Sequence, residues 1–314
     1  MTQSPTRIDW LLFGVLGFIW GSSFLFIKVG VEAGLQPLTL VMIRLLLGTG
    51  LLAVVIAASR VALPRDPRTY GHLAVMGLIA IALPFSLITW AEQSVDSTIA
   101  SVINGGVPLF VIPIAAVVLR DEPVTPNRLA GIAIGFVGVA ILVGFDPGRL
   151  AGGDLAGELA IVGATISYAA GGVYARRMVR GLPVIVPAFF QVAFALVIVS
   201  VLALAFERPL HVPTGLDALF AVAWLGLLGS GVAYVIFFRL LGRWGASRTS
   251  LVTYLMPIVG LALGATVLGE TVDGRVLAGA ALVIGGIALV NSRLGSRPLF
   301  VRGEPAPAKV SGPA

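Results

Sequence analysis

Cysteine is absent from this chain of 314 residues, and charge is scarce: Asp, Glu, Lys and Arg make up 11% of it, against about 25% in soluble globular proteins. Without cysteine there is no disulfide framework, no thiolate metal site and no cysteine nucleophile. The two histidines, His72 and His211, stand far apart and form no ligand pair. There is no Walker A loop, no Gly-x-Ser-x-Gly and no His-x-x-His. The sequence therefore predicts neither a metal, a cofactor nor an enzyme, and the chain has no ATPase motor of its own. What is abundant is apolar: 58% of residues are hydrophobic and the mean hydropathy is +1.01. A soluble fold cannot hide that much apolar surface, and a disordered chain would not carry it. The class left is an integral membrane protein whose solvent is the lipid bilayer.

Crossing the hydrocarbon core takes about 20 mostly apolar residues in a helix. Ten such runs are predicted, at 8–29, 37–59, 70–91, 97–119, 126–145, 156–177, 183–206, 216–238, 247–269 and 274–293. They are about twice the length of a barrel strand and do not alternate in polarity, so they read as helices. With the N-terminus inside, sixteen Lys and Arg fall in inner loops and tails, such as Arg60, Arg65, Arg68, Arg176, Arg177 and Arg180. Four fall outside (Lys28, Arg149, Arg208, Arg275), and Arg44 alone lies within a span. That bias predicts an inner-membrane protein with both termini cytoplasmic. It also accounts for the net charge of +6 without nucleic acid. The Pro-rich residues 294–314 are predicted to be a disordered cytoplasmic tail.

The halves resemble each other. Glu122, Gly131 and Gly138 recur as Glu270, Gly279 and Gly286, and Ser101 and Pro108 recur as Ser250 and Pro257. Because each half holds five helices, the second enters the membrane upside down. The expected fold is all-α, with ten transmembrane helices in two inverted five-helix repeats, 8–145 and 156–293. Secondary transporters often have this design, with the substrate near the midplane and access alternating between sides.

Three segments support a family resemblance: "FIWGSSFLFIKVGVEAGLQPLTLVMIRLLLGTGLLA", "LITWAEQSVDSTIASVINGGVPLFVIPIAAVVLRDEPVT" and "AYVIFFRLLGRWGASRTSLVTYLMPIVGLALGATVLGETV". In their order and two copies they resemble the EamA family of the drug/metabolite transporter superfamily. The resemblance implies a ten-helix carrier moving small polar metabolites, such as amino acids, often outward. Proton coupling is known among its relatives, and a multidrug exporter of the same superfamily is the alternative. A cation pump would be expected to carry a carboxylate in mid-membrane, and no span has one. Two departures bear on the substrate: the end of helix 3 reads Trp90-Ala91-Glu92, and the helix 7 counterpart of Arg44 is Gln191.

The candidate site residues follow from depth. Arg44 lies about seven residues into helix 2, roughly 10 Å deep. A charge there needs a partner. It reads either as an anchor for a carboxylate or phosphate, or as a structural cation paired with an acid such as Glu92 or with carbonyls. Trp20, Phe85, Tyr168, Tyr234 and Tyr254 lie near the centres of their helices, where a Trp or Tyr polar atom must find a partner on another helix or a ligand. Ser23, Asn104 and Gln191 add donors and acceptors at that level, where the hydroxyls of Ser22, Ser167 and Ser230 also fall. These are the substrate-binding candidates, set against plain interhelical packing. Gating candidates are Glu92, as a protonatable outer gate or a solvated loop residue, and the kink-forming Pro108 and Pro257. Lys28 and Glu32 read as loop residues, Glu122 and Glu270 as polar helix ends, and Gly131-x-x-x-Gly135 as a packing face. Partners are the lipid bilayer and a small molecule; the oligomer is a monomer or a homodimer.

Overall fold

The computed structural model describes residues 6–118, 125–143, 153–179, 181–210, 214–244 and 249–291. Among the described residues the regular structure is entirely helical. Among the described residues nine helices are long and apolar enough to cross a membrane: α1 (Arg7–Glu32), α2 (Pro37–Ser59), α3 (Pro67–Ala91), α4 (Ser97–Val118), α5 (Pro126–Val143), α6 (Leu155–Met178), α7 (Ile185–Phe206), α8 (Leu216–Leu240) and α9 (Leu251–Leu268). A shorter apolar helix, α10 (Gly274–Val290), follows. Nine of the ten expected runs appear among the described residues as helices of spanning length with shifted ends, and the tenth as the shorter α10. α1 runs on to Glu32, α7 starts at Ile185, and the end expected for α10 at 293 falls outside the described residues, as do Glu122 and the tail. Starts follow local chemistry: Pro37, Pro67 and Pro126 take first-turn positions, where the missing N–H costs nothing. Thr6 and Asp9 close a reciprocal capping box on α1.

The outside of the bundle is apolar: Leu216, Phe206, Val117, Val54 and Leu11 are all exposed. In water that surface would drive aggregation; in lipid it is solvated. Inside, α2 lies on α7, α4 on α9 and α5 on α10. α2 also packs on α8 and α7 on α3; α3 packs on α6 and α8 on α1; α1 packs on α9 and α6 on α4.

Three of these pairs run antiparallel. Along α5 and α10, a Cβ on Gly131 would meet the Gly286 carbonyl at 2.5 Å, and one on Gly138 would meet the Gly279 carbonyl at 2.9 Å. The two backbones therefore touch through glycine, as close-packed membrane helices do. For α7 and α2, the Glu207 carboxylate at the end of α7 accepts from the Leu38 and Thr39 amides at the start of α2, at 2.9 and 2.7 Å. For α9 and α4, Glu270 just past α9 accepts from the Ser97 and Thr98 amides, at 2.7 and 2.8 Å. Each helix N-terminus thus has its free N–H groups met by a carboxylate from another helix, with the dipole favouring the charge. Glu270 is the helix-end residue that the sequence predicts, but the end it caps belongs to α4.

Regular α-helix is interrupted where the site will form. α1 breaks at Ser22, α4 at Gly106, α3 has a π-helical turn at Leu78–Ala82, and α8 has one at Trp224–Val232. Proline explains two of these breaks. Pro108 has no N–H to offer the Asn104 carbonyl, and α4 restarts at Val107. Pro84 follows the turn in α3 and likewise offers no N–H to the Ile79 carbonyl. Ser167 Oγ from α6 donates to that carbonyl at 2.6 Å, so the free acceptor becomes a link between helices. Breaks in α1 and α8 have no proline to announce them.

Candidate functional site

Arg44 is the centre of the candidate site. Only 4% of it is exposed. Its Nε donates to Ser230 Oγ at 2.9 Å, and its guanidinium carbon stands 3.8 Å from the centre of the Phe85 ring. The π-helical turn of α8 delivers Ser230 to that position and leaves Gly229 beside it. A Cβ built on Gly229 would stand 3.4 Å from Ser23 Oγ and 3.5 Å from Arg44 Nη2. Backbone with no side chain here lets α1, α2 and α8 meet at one corner.

An aromatic wall continues from the cation. Phe85 meets Tyr168 edge-on at 6.4 Å. Trp20 meets Tyr234 at 6.0 Å and Phe237 at 5.3 Å, and donates from Nε1 to the Gly229 carbonyl at 3.3 Å. Tyr168 and Tyr234 both lie within electrostatic reach of the Arg44 charge. Neither hydroxyl is hydrogen-bonded within the described residues, and neither is a sealed-off buried atom.

The structure thus gathers Trp20, Ser23, Arg44, Phe85, Tyr168 and Tyr234 from five helices. The remaining binding candidates are placed differently. Tyr254 donates its hydroxyl to the Ile287 carbonyl at 2.8 Å, which ties α9 to α10. Asn104 and Gln191 are buried but are not hydrogen-bonded to the Arg44 group; the Asn104 Oδ1 acceptor has no partner. Pro257 is buried and lies 3.0 Å from a Cβ built on Gly105, next to the break in α4 that precedes Pro108. Two residues escaped sequence reasoning, Gly229 and Trp224. Gly229, like the Ser230 that depth picks out, owes its placement to the π-helical turn. Trp224, which donates to Ser22 Oγ at 3.0 Å, braces the break in α1. A Gly-Ser-Gly run inside a span was the only available sign of the turn.

Arg44 pairs with no carboxylate among the described residues. Glu92 is not its ion-pair partner. Nor is Glu92 a solvated loop residue: it is fully buried just beyond α3, and neither carboxylate oxygen accepts a hydrogen bond. Burial holds its carboxyl well above the usual carboxylate range, with Lys28 opposing that shift. Lys28 is likewise not a loop residue. Its ammonium donates to the carbonyls of Glu92 and Val95 at 3.0 and 3.2 Å, and stands 4.0 Å from Glu32. At the opposite end of the bundle, Asp9 pairs with Arg243 at 3.4 Å and Trp10 stacks on Trp244 at 4.9 Å.

An apolar helical bundle with a buried guanidinium in an aromatic corner defines a polytopic membrane protein with a polar group held inside it. The comparisons agree with that class. The EamA-like transporter family model matches residues 8–144 and again 155–292, and the chain belongs to that family. It is 31% identical over 269 residues to the Uncharacterized inner membrane transporter YedA of Escherichia coli strain K12, covering 83% of this chain and 84% of that one. It is 28% identical over 298 residues to a protein of Salmonella typhimurium strain LT2 named a probable amino-acid metabolite efflux pump, covering 90% and 94%. One solved crystal structure superposes with a TM-score of 0.65 at 22% identity, over 91% of this chain and 97% of its own, which supports the fold. This chain is a multi-pass membrane transporter.

Proposed function

We propose that the chain is a secondary exporter of small polar metabolites bearing a carboxylate, amino acids foremost, working across the inner membrane by alternating access. The observation that carries this reading is Arg44: buried, fixed by Ser230 and Phe85, and in ion-pair contact with no carboxylate among the described residues. A substrate carboxylate supplies the missing charge in a geometry that guanidinium recognises through two N–H groups. The Tyr168 and Tyr234 hydroxyls add hydrogen bonds, and the aromatic faces suit an ammonium group. The name of the Salmonella relative points the same way.

The carrier architecture is part of the proposal: ten membrane helices in two inverted repeats, 8–145 and 156–293, with both termini cytoplasmic. Its support lies in the packing. Exchanging α1 with α6, α2 with α7, α3 with α8, α4 with α9 and α5 with α10 turns the principal helix contacts into one another. The three pairs that map onto themselves run antiparallel, as inversion requires. Outward and inward openings are then near mirror events in the two halves. The break in α4 beside Pro108, with Pro257 packed against it, and the buried Glu92 provide the gates.

Counterflow in proteoliposomes tests the reading. Vesicles preloaded with an amino acid are expected to accumulate the labelled form transiently, and Arg44→Gln is expected to abolish this. Exchange of lipophilic cations with none of amino or organic acids would favour the multidrug alternative.

A further inference from the structure

Three acids are buried among the described residues: Asp9, Glu92 and Glu158. Asp9 meets Arg243 at 3.4 Å and Glu158 meets Arg275 at 3.9 Å. Glu92 alone has no cation on its carboxylate, and both of its oxygens are sealed from solvent without a donor. An ionised carboxylate in that setting is far more costly than a neutral acid, so the group keeps its proton instead.

The neighbouring charges are engaged elsewhere. Lys28 on α1 gives its ammonium to two backbone carbonyls and to Glu32. Arg44 on α2 is held by Ser230 and Phe85. Glu270 past α9 spends its carboxylate on the Ser97 and Thr98 amides, and Asp96 lies just before those residues at the start of α4. On α6, Glu158 has Arg275, and Tyr168 faces Phe85. None of these supplies a hydrogen bond to the Glu92 oxygens. Yet Lys28 is already bonded to the main chain of the same residue, so a small movement of this end would bring cation and carboxylate together.

From this arrangement we infer that Glu92 is a proton-binding site of the transport cycle. It holds one proton while this end is closed, and exchanges it with outer water when the end opens. On deprotonation the O–H bond breaks, the proton leaves to solvent, and the carboxylate left behind is taken by Lys28 as that ammonium turns from the carbonyls; on uptake from outer water the same steps reverse. This inference names the coupling ion of the exporter proposed above and rests on that reading for its link to transport. The proton site itself stands on the buried geometry alone.

Infrared spectroscopy of the purified, reconstituted protein tests the site with no substrate present. A protonated-carboxyl stretch is expected at neutral pH in the wild type and lost in Glu92→Gln, while Glu270→Gln and Glu158→Gln retain it. A second variant, Lys28→Met, keeps Glu92 and removes its nearest cation, so the band should persist to higher pH than in the wild type. Absence of the band, its survival in Glu92→Gln, or an unmoved titration in Lys28→Met would overturn the inference. The link to transport is read from counterflow with labelled amino acids as the probe. Stimulation by a pH gradient, read relative to each protein's own exchange without a gradient, should be present in the wild type and absent in Glu92→Gln; equal relative stimulation in both proteins, or stimulation by a sodium gradient instead, overturns it. If no amino acid exchanges in either protein while the band is lost in Glu92→Gln, the amino-acid reading fails and the proton site stands.

Discussion

Replacing Arg44 with glutamine separates a substrate anchor from a structural cation, because the two roles move stability and binding in different ways. In the unliganded protein the substitution removes the contact with Phe85, about 2 kcal/mol when desolvated, and the hydrogen bond to Ser230, about 1.5–3 kcal/mol for a charged donor. It also removes the burial of a cation with no counter-charge, an effective penalty of several kcal/mol. These effects oppose each other and are similar in size, so the unliganded Tm should move by only a few degrees, at about 2–4 °C per kcal/mol. Binding has no such offset. Removing one partner of a buried ion pair costs about 2–5 kcal/mol, which is roughly a 30-fold to several-thousand-fold loss of affinity. The assay is thermal unfolding in detergent with an amino acid at a hundredfold excess over its wild-type Kd. The wild type should gain about 2.7 kcal/mol, and Arg44→Gln about 0.9 kcal/mol or less. A variant that melts far lower without ligand, yet keeps the wild-type ligand shift, would show that Arg44 holds the fold and that the anchor argument is wrong.

Further perturbations follow from the same geometry. Glu270→Ala removes a carboxylate from two α4 amides, so thermal unfolding should show a loss of about 1–3 kcal/mol, whereas a change at an exposed helix end would cost under about 0.5 kcal/mol. Gly138→Leu places a side chain against the α10 backbone and should abolish folded yield in size-exclusion chromatography; Gly285→Ala, with open space at its Cβ, should leave it unchanged. Because burial raises the Glu92 carboxyl in the folded state, the folded chain binds the extra proton. Between the ordinary carboxylate pKa and that raised value, stability should therefore fall as pH rises, and Glu92→Gln should flatten that slope in thermal melts.

Much of the fold could be read from the sequence because lipid imposes a strong rule: every backbone polar group must be satisfied within the span, so long apolar runs become helices. The repeat was legible for a related reason, since Gly131, Gly138, Gly279 and Gly286 are fixed by backbone contact and recur at matching offsets. The site was only partly legible. Depth alone singled out Arg44, Trp20, Phe85, Tyr168 and Tyr234, and these do converge. Depth could not separate Tyr254, whose hydroxyl serves α10, because a helix face is invisible without the packing. Gly229 and Ser230 depend on a π-helical turn with no proline to announce it. Glu92 looked like a loop acid because its burial comes from α1, α4 and α6 closing over it, contacts that lie far apart along the chain.

The central claim is that Arg44 reads a substrate carboxylate, and the most direct measurement is competition in counterflow between an amino acid and its amide. The two differ at the carboxyl alone. In the wild type the unlabelled amino acid should suppress labelled exchange and the amide should fail to compete by roughly tenfold or more, given about 1.4 kcal/mol per tenfold and 2–5 kcal/mol for the lost pair. Equal competition by acid and amide would contradict the account, since it would mean that the buried guanidinium does not touch the group for which it is poised.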